Sequence, residues 1–458
     1  MPSAKVIGLV LGILLPLVAL LIPGELDVPS RLALAVCALT VVFWTFEPVP
    51  IEYTSILTLL LFPILGIMSF ETTFHAFSGK AVWLIFSGMA LSLTISETPL
   101  GPRLARLVLG RIGSYGRLVL SLHLLGIVLA ILIPSGVVRI LILMPMLVSL
   151  LKAIGEAPGS RVSAALILSL ACSTYYGGTG ILTASVPNLV VFGAMEARDI
   201  TFYWGEWALY MLPVIGLVRT GCCYLLVRLL LRVPQERSPT APPAEDASIP
   251  ARISPPERKA VGILLLGILL WATDALHGIH PAYVGLLLVL LCYLPGWGPL
   301  APGHLRKINF PILIYVAAAF AMGYAMEDTG LNDRMGRFLT GWLDLSDSHA
   351  LAKLGAVTYL LVPADFLADT AAIAAILTPL LLDFGADIGL AAIPTALSVA
   401  IGTSLVFIPY QSAPFMLAYS FRYVRMGQFI LLMSLISLIT LIILVPLNLL
   451  YWRLIGFV

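Results

Sequence analysis

The chain has 458 residues, 60% of them hydrophobic and 11% charged, with a formal net charge of +2. Soluble domains carry roughly 25% charged residues, so this composition excludes a soluble protein and requires a polytopic membrane protein whose apolar surface meets the lipid bilayer. Nucleic acid is excluded as a partner, because no basic stripe is interleaved with aromatics.

A spanning helix needs about 20 mainly apolar residues. The first candidate, 5–23, lacks a small-residue cleavage site and leads straight into further spans, so it reads as a transmembrane helix and not a signal peptide. Spans follow at 30–47, 51–69 and 80–97. The apolar piece 118–152 is broken at Pro134-Ser135-Gly136. It is too long for one helix and too short for two full crossings, so a re-entrant hairpin is expected. Unpaired backbone at such a tip is tolerated only where it lines a cavity or is buried in protein. The span 162–196 is interrupted by Tyr175-Tyr176-Gly177-Gly178-Thr179-Gly180 and by Ser185-Val186-Pro187-Asn188, and 207–231 closes the N-terminal half, 1–232. A polar, proline-rich cytoplasmic linker covers 233–258. The C-terminal half, 259–458, repeats the plan. It has spans at 259–277, 281–297 and 309–326, and a second re-entrant hairpin at 349–385, broken between Pro363 and Thr370. An interrupted span, 388–423, precedes a last span, 428–452. The fold class is therefore all-α, with about eleven transmembrane helices and two re-entrant hairpins.

Five cysteines lie in apolar spans without a CxxC pair, so neither a disulfide framework nor a zinc site is indicated. His277 and His280 suit an interfacial loop better than a metal site. The run Gly177–Gly180 follows no strand and precedes no Walker lysine, so it is not a nucleotide loop. No cofactor is expected.

The halves are weak repeats. Thr98, Leu100, Arg103 and Arg106 match Thr329, Leu331, Arg334 and Arg337, and Ser185, Pro187 and Arg198 match Ser412, Pro414 and Arg425. The amphipathic segment 98–118 holds four arginines and no acid, whereas 331–348 mixes Arg334 and Arg337 with Asp333, Asp344 and Asp347. Under the positive-inside rule the first faces the cytoplasm and the second faces outward. The repeat is thus inverted, in a cytoplasmic (inner) membrane, with the N-terminus cytoplasmic and the C-terminus outside.

Inverted repeats with breaks in matching places point to a transporter substrate site near the midplane. Half-helix N-termini suit an anion, and freed carbonyls and small hydroxyls suit Na⁺. Candidates at the breaks are Ser135, Thr179, Ser185, Asn188, Thr370, Thr403 and Ser412. Any one of these taken singly reads as a helix-packing residue. The sharper signals are Arg139 and Asp369, since an ionisable residue inside a membrane is functional by default. Arg139 suits a bidentate carboxylate or sulfate contact. Asp369 suits either a pair with Arg139, which locks the hairpins together, or proton loading. Asp365 is placed at the outer mouth, and Lys80 and Lys353 are expected to snorkel.

In these features the sequence resembles a divergent bacterial-type member of the divalent anion/sodium symporter (DASS) family, over nearly the whole chain. That family carries a Ser-Asn-Thr triplet at each tip, ten residues before a proline. Here Ser135-Gly136-Val137 precedes Pro145, and Asp369-Thr370-Ala371, or Ala368-Asp369-Thr370 in the neighbouring register, precedes Pro379. The family's break motifs correspond to Ser185-Val186-Pro187-Asn188 and Ser412-Ala413-Pro414-Phe415. The resemblance implies substrate contacts at Ser135, Gly136, Val137, Ser185, Asp369, Thr370 and Ser412. It implies ion contacts at Ser135, Thr179, Ala184, Asn188, Asp369 and Thr403. It also implies a homodimer with an elevator motion. Gly136 and Phe415 stand where asparagines are expected and bring no side-chain ligand.

The expected function is secondary transport of a small anionic substrate (a dicarboxylate such as succinate, or citrate or sulfate), coupled to Na⁺ or H⁺ or run as exchange. One rival is a cation/proton antiporter using Asp369. The other is a non-transporting sensor or an intramembrane enzyme, for which no nucleophile–base pair or metal cluster is present.

Overall fold

The computed structural model describes residues 2–21, 26–103, 114–232, 252–343, 345 and 348–458. Among these residues all regular structure is helical. Most of the linker expected at 233–258, and Arg106 and Arg111 of the amphipathic segment 98–118, lie outside the described residues. So do Asp344 and Asp347 of its counterpart 331–348.

Among the described residues six helices are long and apolar enough to cross a membrane. Two bent pairs pass the same test jointly: Phe70–Ser78 with Lys80–Ser96, bent by 46°, and Pro311–Asp328 with Leu331–Trp342, bent by 75°. The other apolar helices, such as Ile51–Ile64 and Pro281–Cys292, are shorter. Length alone therefore does not fix how many elements cross.

The helix starts follow capping chemistry. Ser114, Ser135, Ser160 and Ser254 each accept a bond from a first-turn N–H, and Ser254 forms a capping box with Glu257. The first hairpin is Tyr115–Leu132 followed by Gly136–Ala153. Each arm has 18 residues, about 27 Å at the α-helical rise. The arms are thus longer than the apolar run suggested, because helix continues past both of its ends. The tip is nonetheless covered by protein: Ile133 is buried and Gly136 abuts Pro414. The second hairpin is Ala350–Ala364 and Thr370–Asp387. At its tip the Leu367 carbonyl accepts a bond from the Thr45 hydroxyl on Val28–Phe46.

The halves interlock reciprocally. The return arm Gly136–Ala153 packs on Ala413–Ser420, and its counterpart Thr370–Asp387 packs on Val186–Glu196. Likewise Lys80–Ser96 packs on Pro281–Cys292, and Pro311–Asp328 on Ile51–Ile64. Reciprocal contacts of this kind are what a two-fold relation between repeats produces. Each closing helix also carries a π-helical segment, Leu212–Val218 in one and Thr440–Leu444 in the other, a feature frequent at functional sites.

Candidate functional site

At the first break, Arg161–Thr179 ends and Val186–Glu196 begins with Ser185 as its N-cap residue. The break exposes carbonyls that helix would have satisfied. Asn188, one turn into the second piece, reaches back and donates from Nδ2 to the carbonyls of Gly178, Thr179 and Ile181 at 3.2, 3.3 and 2.9 Å. Arg139, in the first turn of Gly136–Ala153, is buried and donates from Nη2 to the Ala184 carbonyl at 2.7 Å. A Cβ on Gly178 would lie 3.0 Å from that Nη2, so glycine is what lets the guanidinium reach the break. Thr179 donates its hydroxyl to the Tyr176 carbonyl.

Asn188→Ala removes one donor from each of three buried carbonyls, which keep the Ile181 N–H, the Trp207 Nε1–H and the Ala184 N–H respectively. The expected cost is about 1–3 kcal/mol, since each lost hydrogen bond is worth ~0.5–1.5 kcal/mol net and such losses are not additive. Thermal unfolding in detergent should fall by several degrees. An unchanged midpoint would mean that the second donors alone hold the break.

The second break runs from Gly402-Thr403-Ser404 to Ser412, the N-cap residue of Ala413–Ser420. Where the first half has Asn188 it has Phe415, which is fully buried with its ring 4.8 Å from Tyr175 and 5.9 Å from Tyr176. Gln411 does the stapling instead. Its Oε1 accepts from the N–H groups of Phe407 and Ile408 at 2.6 and 2.8 Å, and its Nε2 donates to the Asp365 carbonyl. The Ser404 carbonyl accepts from Arg219 Nη2 at 2.9 Å, and the Ser404 hydroxyl from Arg219 Nη1 at 2.7 Å. The Arg219 guanidinium lies 4.1 Å above the Tyr176 ring, a cation–π contact. Thr403 donates to the Val399 carbonyl at 3.1 Å, an intrahelical bond.

Each break thus holds one fully buried arginine. Among the described residues neither arginine forms an ion pair within 4 Å. Several of their donors are unspent: Arg139 Nε and Nη1 and Arg219 Nε have no hydrogen-bond acceptor, and the buried Ser412 hydroxyl has no partner. A Cβ on Gly136 would lie 2.9 Å from Pro414 Cγ and 3.4 Å from Arg139 Nη2. The first tip, with Ser135, Gly136, Val137 and Arg139, therefore meets the second break at Pro414. Thr370 of the second tip meets Tyr175 of the first broken span.

Asp369 does not pair with Arg139. It caps Thr370–Asp387 by accepting from the N–H groups of Ala371 and Ala372 at 2.7 and 2.9 Å, and the Tyr315 hydroxyl lies 2.8 Å from both carboxylate oxygens. Asp365, expected at an outer mouth, is buried at 1% exposure because Gln411 holds its backbone against the second break. Lys353 donates to the Ile388 carbonyl at 2.8 Å, and His280 meets Glu196. No cluster of three or more metal-ligating side chains occurs among the described residues. Sequence reasoning missed Arg219, Gln411 and Tyr176. The intramembrane-charge rule applied to Arg139 applies equally to Arg219.

The family described as the transmembrane region of sodium:sulfate symporters matches residues 3–458. The chain belongs to this family. It is a multi-pass membrane transporter and not an enzyme. A membrane protein of Cupriavidus necator is 25% identical over 391 residues, covering 80% of this chain and 75% of its own length. The L-tartrate/succinate antiporter of Escherichia coli K12 is 24% identical over 373 residues, covering 76% of this chain and 73% of its own. The crystal structure of the Alcanivorax borkumensis YdaH transporter matches with a TM-score of 0.57 at 18% identity, over 94% of this chain and 99% of that one. That likeness shows a shared fold.

Proposed function

We propose that this transporter exchanges small dicarboxylates such as succinate across the cytoplasmic membrane and needs no Na⁺. The observation that carries this reading is the arginine at each break. Carbonyls freed in a broken helix are what coordinate a dehydrated Na⁺ in transporters of this architecture. Here the carbonyls of Gly178, Thr179, Ile181 and Ala184 accept from Asn188 and Arg139, and that of Ser404 accepts from Arg219. The unspent arginine donors and the Ser412 hydroxyl suit carboxylate oxygens. The buried Arg139 charge without an anion is costly to carry across a bilayer, so the empty carrier stays put and transport becomes exchange. The E. coli relative named as an antiporter agrees with this reading. Citrate and sulfate fit the same donors. The interlocked hairpins and broken spans form a body suited to elevator motion against Val28–Phe46 and Pro281–Cys292, in a homodimer with its N-terminus cytoplasmic. No observation favours a cation/proton antiporter on Asp369, whose oxygens are already taken by the helix cap and Tyr315.

The test is uptake of labelled succinate into proteoliposomes preloaded with succinate. The rate should be the same in choline as in Na⁺ medium and should vanish when the lumen holds no anion. Loss of uptake in choline overturns the reading.

A further inference from the structure

Asp365 closes the last turn of Ala350–Ala364 before the second tip. Its side chain is buried, and neither carboxylate oxygen has a hydrogen-bond partner. Asp369, one turn further on, is fully engaged as a cap and accepts from Tyr315. Asp365 cannot easily swing out to water, because its N–H donates to the Leu361 carbonyl at 3.0 Å and its own carbonyl accepts from Gln411. Gln411, which holds the Asp365 carbonyl, sits in the same break as Ser404, which Arg219 from the closing span Trp204–Leu231 holds, so Arg219, with Tyr175 from Arg161–Thr179, faces Asp365 without an ion pair inside 4 Å. On its own hairpin the titratable neighbour is Asp369.

An ionised carboxylate without hydrogen bonds in a dry interior is a state that proteins avoid. Two states relieve it: a protonated acid, or a carboxylate neutralised by a neighbouring guanidinium. Arg219 supplies that neighbour. Its two Nη groups are held by Ser404, and its Nε is free.

We propose that Asp365 is a proton-binding site linked to anion binding through Arg219. Ionised, Asp365 neutralises Arg219 and competes with the anion. Protonated, it leaves the Arg219 charge to the anion. Anion binding therefore takes up a proton, and by reciprocity protonation raises anion affinity. The affinity is high at low pH and falls as pH rises through the titration of Asp365, by up to about tenfold per pH unit for one linked proton. The loaded carrier then moves one proton with each divalent anion. This inference rests on the reading of the chain as an anion exchanger and adds the ligand that sets its pH response.

The experiment is calorimetric titration of the purified full-length protein with succinate, in two buffers of different ionisation enthalpy, at several pH values. The wild type should take up about one proton per succinate bound, as one linked site requires, and its affinity should fall with pH. Asp365→Asn should bind succinate with no proton uptake and an affinity flat in pH, and Asp365→Glu should restore the uptake. Unchanged proton uptake in Asp365→Asn, or succinate binding by the wild type with no uptake at any pH, overturns the proposal. If the wild type binds neither succinate nor sulfate, the exchanger reading falls instead. Infrared titration of the carboxylic acid C=O band then decides the proton site alone. A band that titrates in the wild type and is missing from Asp365→Asn upholds it, and identical spectra overturn it.

Discussion

Replacing Arg139 by alanine is expected to lower dicarboxylate exchange in proteoliposomes by roughly 100-fold or more, from the sum of two losses. The first is the bond from Nη2 to the Ala184 carbonyl at 2.7 Å, which leaves a buried acceptor unpaired at a cost of about 1–3 kcal/mol. The second is the pair of unspent donors, Nε and Nη1, whose charge-assisted bonds to a carboxylate contribute about 1.5–3 kcal/mol each. Arg139→Lys should fall between wild type and alanine, because an ammonium keeps the charge but cannot present a planar fork. The alanine variant also vacates the space beside the first break. If the guanidinium stands where a cation would otherwise sit, Na⁺ should stimulate the residual exchange of Arg139→Ala and leave the wild type unaffected. Unaltered exchange in Arg139→Ala removes this residue from the mechanism.

Arg139 was legible in the sequence, and its partner was not. An arginine and an aspartate beside two breaks in apolar runs look like a pair, yet Asp369 is a helix cap that also accepts from Tyr315. Capping and ion pairing present the same residue type at the same spacing, and only the neighbouring chain tells them apart. The breaks themselves were readable, because proline, glycine and serine interrupt hydrophobic runs at matching places in both halves. The length of the first hairpin was not, because helix Tyr115–Leu132 begins three residues before the expected piece, at a serine cap. The asymmetry between Asn188 and Gln411 was also hidden. Both staple a break, but they do so from different sides of the N-cap serine, so matching the two motifs position by position finds Phe415 and passes over Gln411. Arg219 escaped notice because it lies inside an unbroken run, just after a π-helical segment that has no sequence signature of its own.

Arg219 should prove as important as Arg139, with a different profile. Arg219→Gln removes the charge over Tyr176 and weakens the hold on Ser404, so exchange should fall by about 100-fold, as breaking a buried charge contact costs ~3–5 kcal/mol. Arg219→Lys keeps the cation over the ring, a contact worth about 0.5–2 kcal/mol, and should retain more activity. The decisive comparison is thermal stability with Asp365. Arg219→Gln alone strips Asp365 of its neighbouring positive charge, whereas Arg219→Gln combined with Asp365→Asn leaves no buried charge behind. Asp365→Asn should therefore raise the unfolding temperature of Arg219→Gln by more than it changes that of the wild type, a non-additivity expected only for groups that interact. Strictly additive midpoints would show that the two charges do not act on each other, and exchange would then depend on Arg219 through the anion alone.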